Sequence, residues 1–156
     1  MRPRDSQRSK VYAAETRAIG SKVEFETVAE CQEFVDKVTR SRWWKSCCHP
    51  NRVGATVLVE DGRARRSAAA SYSRWAIYLP HYYRERATIL HQLAHLLNRR
   101  RGAVHGPEFC ALLLELVKRF MGPEDAAKLK AEFKRTKVKH RRPYKKADAD
   151  QIVQHL

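Results

Sequence analysis

Two histidines four positions apart, His91 and His95, and a third ten positions further on, His105, are the residues of this chain best suited to chemistry. If the first pair lies on a helix, both imidazoles share one face, about one turn apart. They can then reach one metal ion. His105 opens the run His105-Gly106-Pro107-Glu108-Phe109, in which Pro107 suits the first turn of a further helix. A histidine there completes three protein ligands and leaves one position open. Three ligands with an open position make a catalytic zinc site, whereas structural zinc sites are closed by four. The expected metal ligands are therefore His91, His95 and His105, and the expected ion is Zn. The competing reading is three hydrogen-bonded structural histidines. The apolar setting of the first pair weighs against it, because an unpaired imidazole is costly there. Glu108 is a rival third ligand, but a first-turn acid more naturally satisfies the start of its own helix.

The spacing is that of the motif H-E-x-x-H, in which two zinc-binding histidines bracket a glutamate that serves as general base. Here Gln92 occupies the catalytic, general-base position. Glutamine has nearly the same shape and can hydrogen-bond a water, but it accepts no proton at neutral pH. Losing a general base typically lowers the rate by about 10² to 10⁴. Metal binding should survive, since that glutamate is not a ligand. The expectation is an inactive chain as written, with Gln92 an engineered Glu→Gln change rather than the mark of a natural pseudoenzyme.

Several elements must position this site. Arg84 to about Arg100 reads as the motif helix: Ala87, Leu90, Ala94 and Leu97 form an apolar line that Ile89, Leu93 and Leu96 widen. Arg99, Arg100 and Arg101 suit its C-terminal dipole and Gly102 its C-cap. Phe109, Leu112, Leu113, Leu116, Val117 and Phe120 predict the next helix, ended by Gly122, and Pro123 starts another. Upstream, Thr27 with Glu30 forms a capping box ahead of an amphipathic helix from Val28 to Val38. Val11 to Ala14 reads as a short strand or helical turn. Val53 to Glu60 reads as a strand, Asp61-Gly62 as a hairpin turn, and Ser71 to Leu79 as the next strand of a meander, stopped by Pro80. That last strand, around Ala76 to Leu79, is the expected edge on which an extended peptide pairs by main-chain hydrogen bonds. His81, Tyr82 and Tyr83 follow it as candidates for stabilising an oxyanion, with none singled out.

The chain of 156 residues carries 32 Lys and Arg against 17 Asp and Glu, a formal charge of +15. Such a field favours polyanions or acidic surfaces as partners and is silent on fold. Much of it is concentrated between Lys134 and Lys146, read as a solvated tail able to bind nucleic acid independently of sequence. Trp43-Trp44 could stack on bases, though one core and one surface indole is the plainer reading. Of the four cysteines, Cys47-Cys48 with His49 hints at a second metal site, but C-x-x-C spacing is absent and thiols with structural roles are favoured. Met121 is read as core filling. No apolar run reaches the roughly 18 residues of a membrane span, and Met1 to Lys10 does not resemble a signal peptide. A cytoplasmic protein with reduced thiols, without membrane association, is expected.

The pattern Val11-Tyr12-Ala13-Ala14-Glu15, Glu30-Cys31-Gln32, Val59-Glu60-Asp61-Gly62, His91 to His95 and His105 to Phe109 resembles a family of small metallohydrolases from actinobacteria and their phages, over roughly residues 11 to 135. The run His105 to Phe109 is also similar to SprT-like (Spartan-type) proteases, which digest proteins crosslinked to DNA. That resemblance implies zinc on His91, His95 and His105 and a general base at position 92. The chain departs from the Spartan-type pattern in the shorter His95-to-His105 gap and in Gln92. Together these readings predict an α+β, minimal zincin-like domain: an N-terminal helix, a small antiparallel sheet, the motif helix and C-terminal helices. It would span residues 11–135, between a loose basic arm (1–10) and a basic tail (136–156). The expected function is a zinc metallopeptidase acting on a protein or peptide, with association to DNA as a secondary expectation. The alternatives are an inactive, zinc-stabilised nucleic-acid-binding module and a zinc-dependent ribonuclease.

Overall fold

The computed structural model describes residues 4–20, 23–98 and 103–141. In chain order the elements are α1 (Arg8–Ala18), α2 (Val28–Thr39), α3 (Arg42–Cys47), β1 (Leu58–Glu60), β2 (Ala69–Ser71), β3 (Ala76–Tyr78), α4 (Arg86–Leu97), α5 (Pro107–Phe120) and α6 (Pro123–Arg135), with 3₁₀ turns at Pro50–Arg52 and His81–Tyr83. The class is α+β, as expected. No helix among the described residues is long and apolar enough to cross a membrane.

Local chemistry explains most of the helix boundaries. The Thr27 hydroxyl accepts the Glu30 N–H at 3.1 Å while the Glu30 carboxylate accepts the Thr27 N–H at 3.0 Å, the reciprocal capping box read from sequence. Pro107 and Pro123 each sit in the first turn of α5 and α6, where a missing N–H costs nothing. Within α5, Phe109, Leu113, Leu116 and Val117 are buried, and the helix packs between α4 and α6. Packing of α1 on α6 closes this helical side of the core. Trp44 is buried and Trp43 half-buried beneath the Arg119 guanidinium, 5.3 Å from its ring, which matches one core and one surface indole. Met121 packs against the core.

The sheet differs from the expected antiparallel meander. Its order is β1-β3-β2, with β1 parallel to β3 and β2 antiparallel to β3. The tight connection is the turn Tyr72–Trp75 between β2 and β3, inside what sequence suggested was one strand, and Asp61-Gly62 does not close a hairpin. Gly62 is needed for another reason. It adopts φ +69, and a Cβ there would lie 2.9 Å from the Pro80 ring. The Val53–Glu60 strand shortens to three residues, Leu58–Glu60, and a 3₁₀ turn at Pro50–Arg52 lies ahead of it.

This topology overturns the expected substrate edge. Ala76–Tyr78 is the central strand, so both its edges are taken. The outer edge of β1 is closed by α2: Gln32 donates to the Val57 carbonyl at 2.8 Å and accepts the Val59 N–H at 2.9 Å. Only β2, which packs on α4, keeps an outer edge without backbone hydrogen bonds among the described residues.

Three other expectations change. Val11 to Ala14 belongs to a full helix, α1. The motif helix starts at Arg86 because Arg84 is buried as a brace: it donates to the Leu79 and Glu26 carbonyls at 3.1 and 3.0 Å and faces Asp61 at 3.6 Å. Arg99, Arg100, Arg101 and Gly102, expected to finish that helix, lie outside the described residues, as do residues 142–156 of the expected tail. The start of that tail is packed rather than solvated. Val138 is buried, and the Arg141 N–H bonds the Pro107 carbonyl at 3.1 Å.

Candidate metal centre

Helix α4 projects His91 and His95 from one face, and the turn entering α5 brings His105 against them. The Nε2 of His91 lies 3.1 Å from that of His95 and 3.3 Å from that of His105. One ligand nitrogen from each of the three falls within 4.8 Å of the others. The three histidines singled out by spacing are therefore brought together, and the group can hold a metal ion.

Their other nitrogens decide how. His91 Nδ1 faces both oxygens of Glu15, at 2.8 and 2.9 Å. His105 Nδ1 faces Asp5 Oδ2 at 2.7 Å, while the His105 backbone N–H donates to Asp5 Oδ1 at 3.1 Å. An ionised carboxylate only accepts, so in both rings Nδ1 carries the hydrogen and donates it. The Nε2 lone pairs of His91 and His105 are then left pointing at each other across 3.3 Å. Two acceptors face to face repel. A cation between them removes the repulsion and uses both lone pairs, and on this ground the residues present fit a metal. A carboxylate holding the far nitrogen of a ligating imidazole is also how metal sites fix tautomer and ring orientation.

Aromatic rings complete the enclosure. Phe109 stacks on His95 at 4.5 Å and meets His91 and His105 edge-on at 4.9 and 5.0 Å. Tyr12 of α1 stacks on His91 at 4.9 Å and tilts against His105 at 5.2 Å, yet remains 43% exposed, so it stands between the site and solvent. Burial, and next the adjacent Glu15 carboxylate, push the Tyr12 phenol above its ordinary range. Burial and the neighbouring His91 and His105 drive His95 down to about 2. Burial also lowers His105, opposed by its bond to Asp5. The enclosure thus favours the neutral form of His95 and His105, the form that binds metals.

Gln92 is buried beside the cluster, and its amide makes no hydrogen bond to the described residues. Glu108 is not part of the cluster: it lies in the first turn of α5, where Arg141 donates to it at 3.3 Å. Among the described residues, Cys47, Cys48 and His49 form no ligand group, and His49 Nδ1 instead accepts the Asn51 N–H at 3.1 Å. His81 and Tyr82 are exposed, Tyr82 by 84%, and the tyrosine on the cluster is Tyr12.

Sequence reasoning missed Asp5, Glu15 and Tyr12 as site residues. Glu15 carried a signal, because it shares the α1 face of Val11 and Ala14, where a carboxylate would be stranded without a partner. Asp5 is the single acid of the basic stretch 1–10. No known family, no curated protein and no solved structure matches the chain.

Proposed function

We propose that this chain is a zinc metallopeptidase whose general-base position is held by Gln92, leaving it inactive as written. The observation that carries the reading is the convergence of three imidazole nitrogens, two of them fixed by carboxylates. Three nitrogens bound tetrahedrally at 2.0–2.1 Å would lie roughly 3.3–3.4 Å apart, close to the 3.1 and 3.3 Å found around His91. An all-imidazole, buried donor set with three members suits zinc with an open position. Bound there, zinc would supply Lewis acidity and a water acidified to a pKa of about 7. Position 92 is where a carboxylate would take that water's proton and return it to the leaving amine. The Gln92 amide can orient a water but cannot carry the proton.

A peptide as substrate is supported by β2. Its open edge belongs to the strand that packs on α4, and main-chain pairing there would hold an extended chain with little sequence selectivity. This replaces the edge role expected of Ala76 to Leu79.

The test is Gln92→Glu, loaded with zinc and offered unfolded protein, peptides and RNA beside the parent chain. Peptide-bond cleavage at least about 10²-fold faster than in the parent is the expected result, abolished by a chelator. A fully loaded variant that cleaves no peptide or protein refutes the proposal, and cleavage of RNA alone would make the site a ribonuclease.

A further inference from the structure

The β2–β3 turn and the strand after it carry two groups of arginines and aromatic rings. The Arg52 guanidinium lies 5.2 Å from the Tyr72 ring and 5.1 Å from the Trp75 ring. Tyr72 and Trp75 meet edge-to-face at 5.4 Å. Next in sequence, Arg74 donates to the Tyr78 hydroxyl at 3.4 Å, and the Arg65 guanidinium lies over the Tyr78 ring, 4.0 Å from its centre. Val59 and Ile77 turn inward to the core, so Tyr78 stands on the opposite side of β3, half-buried there beside the exposed Glu60 of β1.

Three features separate this run from ordinary surface charge. First, each of Arg52, Arg65 and Arg74 engages an aromatic residue without a carboxylate partner among the described residues, whereas Arg119, over the Trp43 ring, is paired with Glu115. Second, the turn that carries it is strained: Trp75 adopts φ 50, a left-handed conformation that a bulky residue keeps only where its surroundings impose it. That conformation seats Trp75 beneath Arg52, and its indole N–H is the one buried side-chain polar atom without a partner among the described residues. Third, Tyr72 remains 42% exposed although the core lies close by. Guanidinium planes already stacked on rings lose little freedom when they grip a phosphate or stack on a base.

We infer that the surface formed by Arg52, Arg65, Tyr72, Arg74 and Tyr78 binds single-stranded nucleic acid. Arginines free of carboxylate partners supply phosphate contacts, and ring and guanidinium faces supply sequence-tolerant stacking, the combination by which single strands are held. The net charge of +15 draws in a polyanion from a distance. Paired bases in a duplex offer no free faces to such a surface, so the single strand is favoured. The inference is independent of the metal centre and distinct from any contact made by the basic stretch beyond Lys134.

The test uses the full chain and a fluorescent 20-mer of thymidines, with binding followed by anisotropy across a salt series. The triple variant Arg52→Ser, Arg65→Ser, Arg74→Ser is compared with Lys118→Ser, Lys128→Ser, Lys130→Ser, which removes the same charge from exposed positions on α5 and α6. At about 0.7 counterions per phosphate contact, losing three contacts lowers the salt slope by about two and weakens binding roughly 50-fold at 0.15 M salt. The lysine variant should lose no more than a few-fold, and a matched duplex should bind more weakly than the single strand. Equal losses in the two variants, an unchanged arginine variant, stronger binding to duplex, or no binding by the parent chain would each overturn the inference. Circular dichroism and a melting curve for each variant exclude loss of fold as the cause.

Discussion

The carboxylates of Asp5 and Glu15 should set metal affinity without touching the metal. Glu15 places two oxygens on His91 Nδ1, at 2.8 and 2.9 Å, from a side chain only 11% exposed. In Glu15→Gln the amide oxygen can still accept the Nδ1 hydrogen, so orientation survives and the negative charge is lost. Glu15→Ala removes the acceptor as well. Asp5 serves two donors at once, His105 Nδ1 and the His105 backbone N–H. Asp5→Asn offers one oxygen and one NH₂ to those two donors, so one donor must face another donor. Removing such a partner typically weakens metal binding 10- to 100-fold, about 1.4–2.8 kcal/mol. We expect roughly tenfold for Glu15→Gln and close to 100-fold for Glu15→Ala and Asp5→Asn. Competition against a chromogenic zinc chelator measures this directly, with His105→Ala as the reference for a lost ligand. Metal-free circular dichroism establishes that each variant is folded. If all three variants hold zinc as tightly as the parent while His105→Ala loses it, the two carboxylates do not orient the ligands and the tautomer argument fails.

Other consequences of the site can be checked with the parent chain or one substitution. Stripping the metal should lower the melting temperature: zinc at 1,000 times its dissociation constant adds about 4 kcal/mol, or roughly 8–16 °C for a chain of this size, and a melting curve unchanged by chelator would exclude a bound metal. Burial, then Glu15, push the Cys110 thiol up to about 12, and burial pushes Cys31 up to about 11. Because the thiolate is the reactive form and a raised pKa removes it at pH 8, neither should be alkylated in the native state, and both should be after unfolding; rapid native labelling of either would contradict that packing. Tyr12→Phe keeps the stack on His91 and removes only the hydroxyl. In the Gln92→Glu background it should leave zinc affinity within about twofold and lower kcat more than it changes KM. Equal kcat values would confine Tyr12 to a covering role.

What could be read from sequence was whatever is encoded locally. The capping box at Thr27, the prolines opening α5 and α6 and the apolar spacing of α4 each depend on neighbours within one or two turns, and each is found where expected. The three histidines were legible because two share a helix face and the third is separated from them by one short connection. The sheet was not. A parallel β1–β3 pair joins residues separated by intervening β2, and nothing in either three-residue strand encodes which partner it takes. Asp-Gly signals a turn in general, but Gly62 is there to let Pro80 approach, a contact between distant parts of the chain. Asp5 and Glu15 escaped for the same reason, lying 100 and 76 residues from the histidines they hold.

Those separations bear on how the centre and the fold depend on each other. Without metal, His91 and His105 present facing lone pairs, and the carboxylates at their far sides are what keep the rings in place. Seating the segment before α1 is therefore part of what fixes His105, the third candidate ligand. Gln7 continues that seating. Its amide donates to the His105 and Lys139 carbonyls, each at 3.1 Å, and its oxygen accepts the Lys139 N–H at 2.6 Å. The two ends of the described chain are thus tied to each other through the loop that bears His105, one of the candidate ligands. Metal binding to a folded site adds to folding free energy, because the unfolded chain has no such site. A metal held by His105 would pass that gain to Asp5, Gln7 and Lys139 through the hydrogen bonds that seat the His105 loop, so residues that look like loose termini in the sequence are tied to the candidate centre.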